Sequence, residues 1–206
     1  MTIILAYTEN IEEMSNISFN TILPYCVKNN IKLNRIKLEN LERPPSWYKI
    51  KLILEEFSNG EEVVMWIDAD TLLVNQNFDL HNLIDNDSLI YLSEDFNGFN
   101  CGVMIWKNHE KTIGILNKIW SMTEYLHSNI WEQGAFIELY NNDYNNLRSI
   151  TKKVPQGILN AYDYRLYSVD KKDGQVTKDS FVFHLPGLHY DLKLNIMKNF
   201  NQKYLI

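Results

Sequence analysis

Residues 63–67 read Val-Val-Met-Trp-Ile, and the run stops on Asp68-Ala69-Asp70. An unbroken apolar run of that length suits a strand covered on both faces, as at the centre of an α/β sheet; a half-solvated strand would alternate apolar with polar residues. Two carboxylates so close repel each other unless something positive lies between them. In open α/β sheets, ligands gather beyond the carboxyl ends of the strands. The pattern therefore offers a cation site at a strand end, with the small Ala69 leaving space between the two acids. Hard ions such as Mn²⁺ and Mg²⁺ take oxygen ligands, and Mg²⁺ typically shares its shell between carboxylates and substrate phosphates. Taken alone, the triplet fits a metal-binding pair or two solvated aspartates that cap a turn.

The rest of the chain supplies the alternation such a sheet needs. Residues 2–7 read as a buried first strand, and residues 31–38 as a second. Residues 17–27 have helical spacing, with Pro24 expected to kink or restart the helix. Pro44-Pro45 breaks the chain, Ser46 is placed to cap a helix over 47–57, and Asn59-Gly60 ends it. Further strands are expected over 89–92, 101–106 and 181–183. Helices are expected over 110–122, 131–140 and 190–200, and a surface loop over 140–146. The polar stretch 162–178 gives no clear element. Strands alternating with helices from the first residue predict one α/β domain over 1–206, standing alone or within a longer chain.

Composition narrows the function classes. With 45% hydrophobic and 22% charged residues, the chain is globular rather than disordered. A net charge of -6 argues against a nucleic-acid partner. It leaves an anionic substrate open, because a bound metal reverses the local sign. No signal-peptide pattern opens the chain, and no stretch approaches the roughly 18 apolar residues of a membrane span, so a cytoplasmic location is expected. Cys26 and Cys101 form no CxxC and fit a reducing compartment. The many tyrosines and tryptophans are read mainly as core, with a capacity to stack on bases and sugars.

Six segments, in order, resemble the nucleotide-diphospho-sugar glycosyltransferases of the GT-A fold, above all the retaining galactosyl- and xylosyltransferases and the glycogenin-like family. They are IILAYTEN, SWYKIKLILEEF, VVMWIDADTLLV, FNCGVMIWKN, WEQGAFIEL and FVFHLPG. The resemblance implies a Rossmann-like single domain with a central, mostly parallel mixed sheet flanked by helices. It implies a D-x-D site in which Asp68 faces ribose and metal, Asp70 is the main metal ligand and His184 the third. Neutral imidazole suits Mn²⁺ beside two carboxylates. Tyr7 and Thr8 would belong to the nucleobase pocket. Lys49 would face the donor, Asn100 and Gly102 would line its sugar, and Gly187 would let backbone approach the diphosphate. Glu132 and Gln133 stand where the family has Asp-Gln beside the anomeric carbon, with Glu one methylene longer. The family's Lys after His-x-x-Gly has no counterpart; His189 is the nearest basic residue, with Lys193 behind it. The implied activity is Mn²⁺- or Mg²⁺-dependent transfer of a sugar, from a donor expected to be UDP-linked, to a hydroxyl of a glycan or glycoprotein, with retention.

Two other functions share parts of this pattern. A phosphatase of the haloacid dehalogenase type also places D-x-D after a buried strand, with Asp68 as nucleophile and Asp70 as acid/base. That motif wants Thr two places beyond the second Asp, and here Thr71 follows directly. A module that binds nucleotide sugar or glycan without turnover is the other alternative.

Overall fold

The computed structural model describes residues 1–167 and 173–200. Its strands are β1 (Thr2–Tyr7), β2 (Lys32–Lys37), β3 (Val63–Ile67), β4 (Thr71–Leu73), β5 (Ile90–Asp95), β6 (Gly98–Lys107), β7 (Thr151–Lys153) and β8 (Val182–His184). Its helices are α1 (Glu12–Asn29), α2 (Tyr48–Ser58), α3 (Leu80–Leu83), α4 (Glu110–Ser121), α5 (Trp131–Asn141), α6 (Leu147–Ile150), α7 (Gln156–Leu159) and α8 (Tyr190–Asn199). Six strands form one sheet in the order β2-β1-β3-β6-β5-β7, and β4 pairs with β8 in a small second sheet. In the large sheet β1 is parallel to β2 and β3, and β7 to β5, while β6 is antiparallel to β3 and β5. It is thus mixed, with three of five pairings parallel. Part of the unassigned polar stretch, residues 168–172, lies outside the described residues.

The apolar runs are continuous because both faces of the sheet are covered. Ile4, Ala6, Val64 and Trp66 enter the core beneath α2, α4 and α5. Their neighbours Ile3, Leu5, Met65 and Ile67 enter the core on the opposite face, beneath α1. The third cluster is smaller and matters more for the site. Met14 of α1, Leu72 of β4, Phe183 of β8, and Ile196 and Met197 of α8 pack there. It fixes the two-stranded sheet and the last helix against α1.

Several boundaries differ from the sequence expectation. Helix α1 begins at Glu12 and runs through Pro24 without ending. Its buried face of Met14, Ile22, Tyr25 and Cys26 outweighs the one backbone bond that proline gives up. Ser46 does not cap α2. It lies inside a single 3₁₀ turn, Pro45–Trp47, that leads directly into the helix, with Pro45 in its first position, where a missing N–H costs nothing. The Ser46 hydroxyl is buried without a partner among the described residues. Strands β5 and β6 are longer than their apolar cores and form a hairpin, with a register shift between Leu92 and Ser93. Gly102 therefore lies within a strand. Strand β4 was not anticipated, since Thr-Leu-Leu is too short to show a period. Cys26 and Cys101 are buried and free.

Phe183 is 2% exposed in the small cluster, and its strand carries His184. Phe183→Ala is expected to destabilise the fold by roughly 3–5 kcal/mol in urea denaturation. A change below about 1 kcal/mol would show that the small cluster does not anchor the second sheet.

Candidate functional site

The chain leaves β3 into the Asp68–Asp70 turn and returns as β4. The Asp68 amide donates to the Gly102 carbonyl at 2.8 Å, and the Thr71 hydroxyl donates to the Asp68 carbonyl at 2.8 Å. β4 then pairs antiparallel with β8, Thr71 opposite His184, and the Leu185 amide donates to the Asp70 carbonyl at 3.1 Å. This ladder brings His184 to the acid pair from far along the chain. One ligand atom each from Asp68, Asp70 and His184 lies within 4.8 Å of the others. His184 Nδ1 is 2.8 Å from Asn160 Oδ1. An amide oxygen only accepts, so Nδ1 donates to Asn160, which orients the ring and leaves Nε2 as the ring atom a metal would take. Nε2 faces Asp70 Oδ1 at 3.2 Å. Gly102 makes room for this ring, because a Cβ there would run into His184 Cε1 and lie 2.9 Å from Nδ1. Two carboxylates and one oriented imidazole fit a hard or borderline divalent cation.

Cations surround the acids. Lys49 Nζ lies 2.8 Å from Glu132 Oε1 and 3.3 Å from Asp68 Oδ1, and donates to the Cys101 carbonyl at 3.0 Å. Lys49 and Glu132 are each 4% exposed. Burial pushes the Lys49 ammonium down, but Asp68 and Glu132 outweigh it and hold its pKa above the ordinary value. For Asp68 burial dominates and raises the carboxyl, despite Lys49. Burial acts on Asp70 too, yet His184 and Lys193 overcome it and hold Asp70 well below the usual carboxylate range. The indole N–H of Trp66 donates to Asp68 Oδ1 at 2.6 Å. Gln133 Oε1 accepts from the Cys101 amide at 3.0 Å. Glu132 Oε2 is buried with no partner among the described residues, a cost unless a ligand supplies one.

Two cavities meet at the acid pair. The larger, about 680 Å³, has Lys49, Asn100, Gly102, Glu132, Gln133 and Gly187 on its walls. The smaller, about 190 Å³, has Tyr7, Thr8, Leu38, Pro45 and Trp66. Ser46, Asp68, Asp70 and Lys193 line both. Every candidate residue named from the sequence lines one or both cavities except His189. His189 sits before α8 with its side chain 82% exposed and borders neither cavity. Its place is taken by Lys193, one helical turn on, whose Nζ is 2.6 Å from Asp70 Oδ2. His189 is the residue before the helix and has extended backbone (φ -62, ψ 144), so its side chain does not share the face on which Lys193 lies.

Sequence reasoning also missed Asp95, Tyr162 and Asn160. The Tyr162 hydroxyl donates to Asp95 Oδ2 at 2.6 Å, and the Asn100 amide donates to the same oxygen at 3.0 Å. This buried group fixes Asn100, whose Oδ1 accepts from the Gly102 amide at 2.8 Å. No local signal marks Asn160 or Tyr162. Asp95 sits in Asp-Phe-Asn-Gly, which reads as nothing more than a hairpin turn.

No protein-family model matches the chain, and no curated protein matches its sequence. Solved structures do match. A glycosyltransferase involved in glycosylating the major capsid of PBCV-1 aligns with a TM-score of 0.75 at 17% identity, over 96% of this chain and 98% of the other. The galactosyltransferase LgtC, in complex with donor and acceptor sugar analogues, aligns at 0.57 and 13% identity over 99% of each chain. A mutant Drosophila β-1,4-galactosyltransferase 7, in complex with manganese, UDP-Gal and xylobiose, aligns at 0.54 and 12% identity, over 98% of this chain and 77% of the other. At such identities the likeness is one of fold: the chain has the GT-A fold found in glycosyltransferases.

The buried Lys49 sits between two acids. Lys49→Met leaves both uncompensated and is expected to cost roughly 3–5 kcal/mol of stability. Adding Glu132→Leu should restore a good part of it. Equal stability of wild type and Lys49→Met in urea denaturation would contradict the buried-pair assignment.

Proposed function

We propose that this chain is a glycosyltransferase that moves a sugar from a nucleotide-diphosphate donor to a hydroxyl acceptor. The observation that carries this is the Asp68-Asp70-His184 group at the junction of two cavities. A nucleotide sugar has that layout: a base and ribose, a charged diphosphate, then a sugar. The smaller cavity suits the base, with Tyr7 and Thr8 on its wall. The larger suits the sugar. The four residues shared by both cavities are two acids, a hydroxyl and a lysine, which is the chemistry for a diphosphate held through a divalent cation.

Mn²⁺ or Mg²⁺ on Asp68, Asp70 and His184 would neutralise charge on the leaving diphosphate. Lys193 is the direct cation at that position. Its pairing with Asp70 is exchangeable for a pairing with phosphate, the function first expected of His189. Gly187, at φ +69, takes a left-handed conformation that favours glycine and lines the larger cavity. The bond from C1 to the leaving phosphate breaks with its electrons on the diphosphate, and the acceptor oxygen bonds to C1 as its proton passes to an oxygen of the leaving phosphate. Positive charge that builds on the sugar ring would meet Glu132, whose Oε1 is held by Lys49 and whose Oε2 has no partner among the described residues. The Gln133 nitrogen makes no hydrogen bond among the described residues and would donate to a sugar hydroxyl. Asn100 and Gly102 border the same space. The proposed donor is a UDP-linked hexose or pentose and the proposed outcome is retention, with Glu132 and Gln133 on the wall of the larger cavity. Nothing in the site favours a phosphatase: Asp68 Oδ1 is already engaged by Trp66 and Lys49.

The test is turnover of a panel of radiolabelled UDP-sugars with Mn²⁺, with chelator, and in Asp70→Ala and His184→Ala. Turnover is expected in wild type with Mn²⁺, and loss of release and transfer with chelator and in both variants. Undiminished metal-dependent turnover in both variants would refute the site. Asn160→Ala, which frees the His184 ring, should weaken Mn²⁺ binding about 10–100-fold in calorimetry; unchanged affinity would remove His184 from the ligand set.

A further inference from the structure

Three large apolar side chains that remain exposed, Phe96, Ile130 and Trp131, line the larger cavity. Phe96 belongs to the β5–β6 turn, and Ile130 and Trp131 open α5. Trp131 is 45% exposed and holds φ +41. A bulky residue there is strained, and such strain persists only where its surroundings enforce it. They do so here. The Trp131 amide donates to the Ser128 carbonyl, and the Gly134 amide to the Ile130 carbonyl, each at 3.3 Å. A Cβ on Gly134 would lie 2.8 Å from Tyr125 Cδ1, so the first turn of α5 is wedged in place. Phe96 is braced in turn by Tyr162 and Tyr167, at ring distances of 6.3 and 5.9 Å. Core packing asks for neither the strain nor the exposure.

We propose that Trp131 and Phe96 form the acceptor subsite and take the terminal pyranose of a glycan. The C–H face of the ring lies on the indole, and the exposed amides of Asn97 and Asn129, on the same cavity wall, bond its hydroxyls. The interruption of the apolar surface by two amides matches a sugar, whose apolar face is rimmed by hydroxyls, better than a lipid chain. The position fits transfer, because Trp131 directly precedes Glu132 at the reacting end of the donor. This inference rests on the donor site proposed above, and its test separates the two.

Lactose, cellobiose and maltose are offered to wild type, Trp131→Ala, Trp131→Gly and Trp131→Phe. Binding is read by saturation-transfer NMR, and acceptor and donor KM are read wherever transfer occurs. Wild type should bind at least one disaccharide. Trp131→Ala should abolish the NMR signal or raise the acceptor KM about tenfold, with a far smaller change in donor KM. Trp131→Gly, which relieves the backbone strain, should do the same, and Trp131→Phe should recover most of the loss. Three outcomes overturn the subsite. One is no disaccharide binding by wild type. Another is wild-type affinity in Trp131→Ala. The last is binding that needs an alkyl chain, seen with dodecyl maltoside but not maltose. Absence of turnover with every donor would instead refute the donor site, while the NMR arm still judges the subsite.

Discussion

Two aspartates at the end of a buried strand repel each other, and most of the architecture around them follows from how that repulsion is relieved. Lys49 approaches from α2 on one side and is neutralised in turn by Glu132 of α5. His184 approaches from β8 and Lys193 from α8 on the other. Each partner comes from a different element, so the charge balance ties helices from both faces of the sheet to one strand end. The asymmetry is informative. Asp70, with His184 and Lys193, is held firmly ionised, whereas burial raises Asp68. A cation placed between them would settle both.

In the proposed reaction, protein cations and a substrate-bound cation would compete for the same oxygens. The ion pair of Lys193 with Asp70 satisfies the acid. A diphosphate with its own metal would offer Lys193 a new partner and Asp70 a new cation together, so neither charge would be left bare. Glu132 Oε2 and the Ser46 hydroxyl, both buried and without a partner among the described residues, are bonding capacity that a ligand could use.

Much of this was legible in the sequence because it was written locally. The unbroken run in β3 marked a strand covered on both faces, and the acids after it marked the strand end at which the two cavities meet. The ordered segments around Asp68, Glu132 and His184 gave the rest of the set. What was not legible depended on pairing across the chain. Strand β4 has only three residues, and nothing in Thr-Leu-Leu announces that it will pair with β8 and deliver His184. Asn160 and Tyr162 act only through partners far away in sequence. The expectation for His189 followed the nearest base along the chain, whereas His189 stands just before α8 with its side chain in solvent and Lys193, within the helix, reaches Asp70. The strain at Trp131 is a backbone property and leaves no mark in composition.

The central claim is that Asp68, Asp70 and His184 jointly hold a divalent cation that bridges to a nucleotide diphosphate. Anomalous diffraction from crystals grown with Mn²⁺ and UDP tests it most directly. A single manganese peak is predicted within coordination distance of Asp70 and His184 and of the diphosphate, with Lys193 moved from Asp70 to a phosphate oxygen. UDP bound with no manganese at these residues, and the pairing of Lys193 with Asp70 intact, would contradict it.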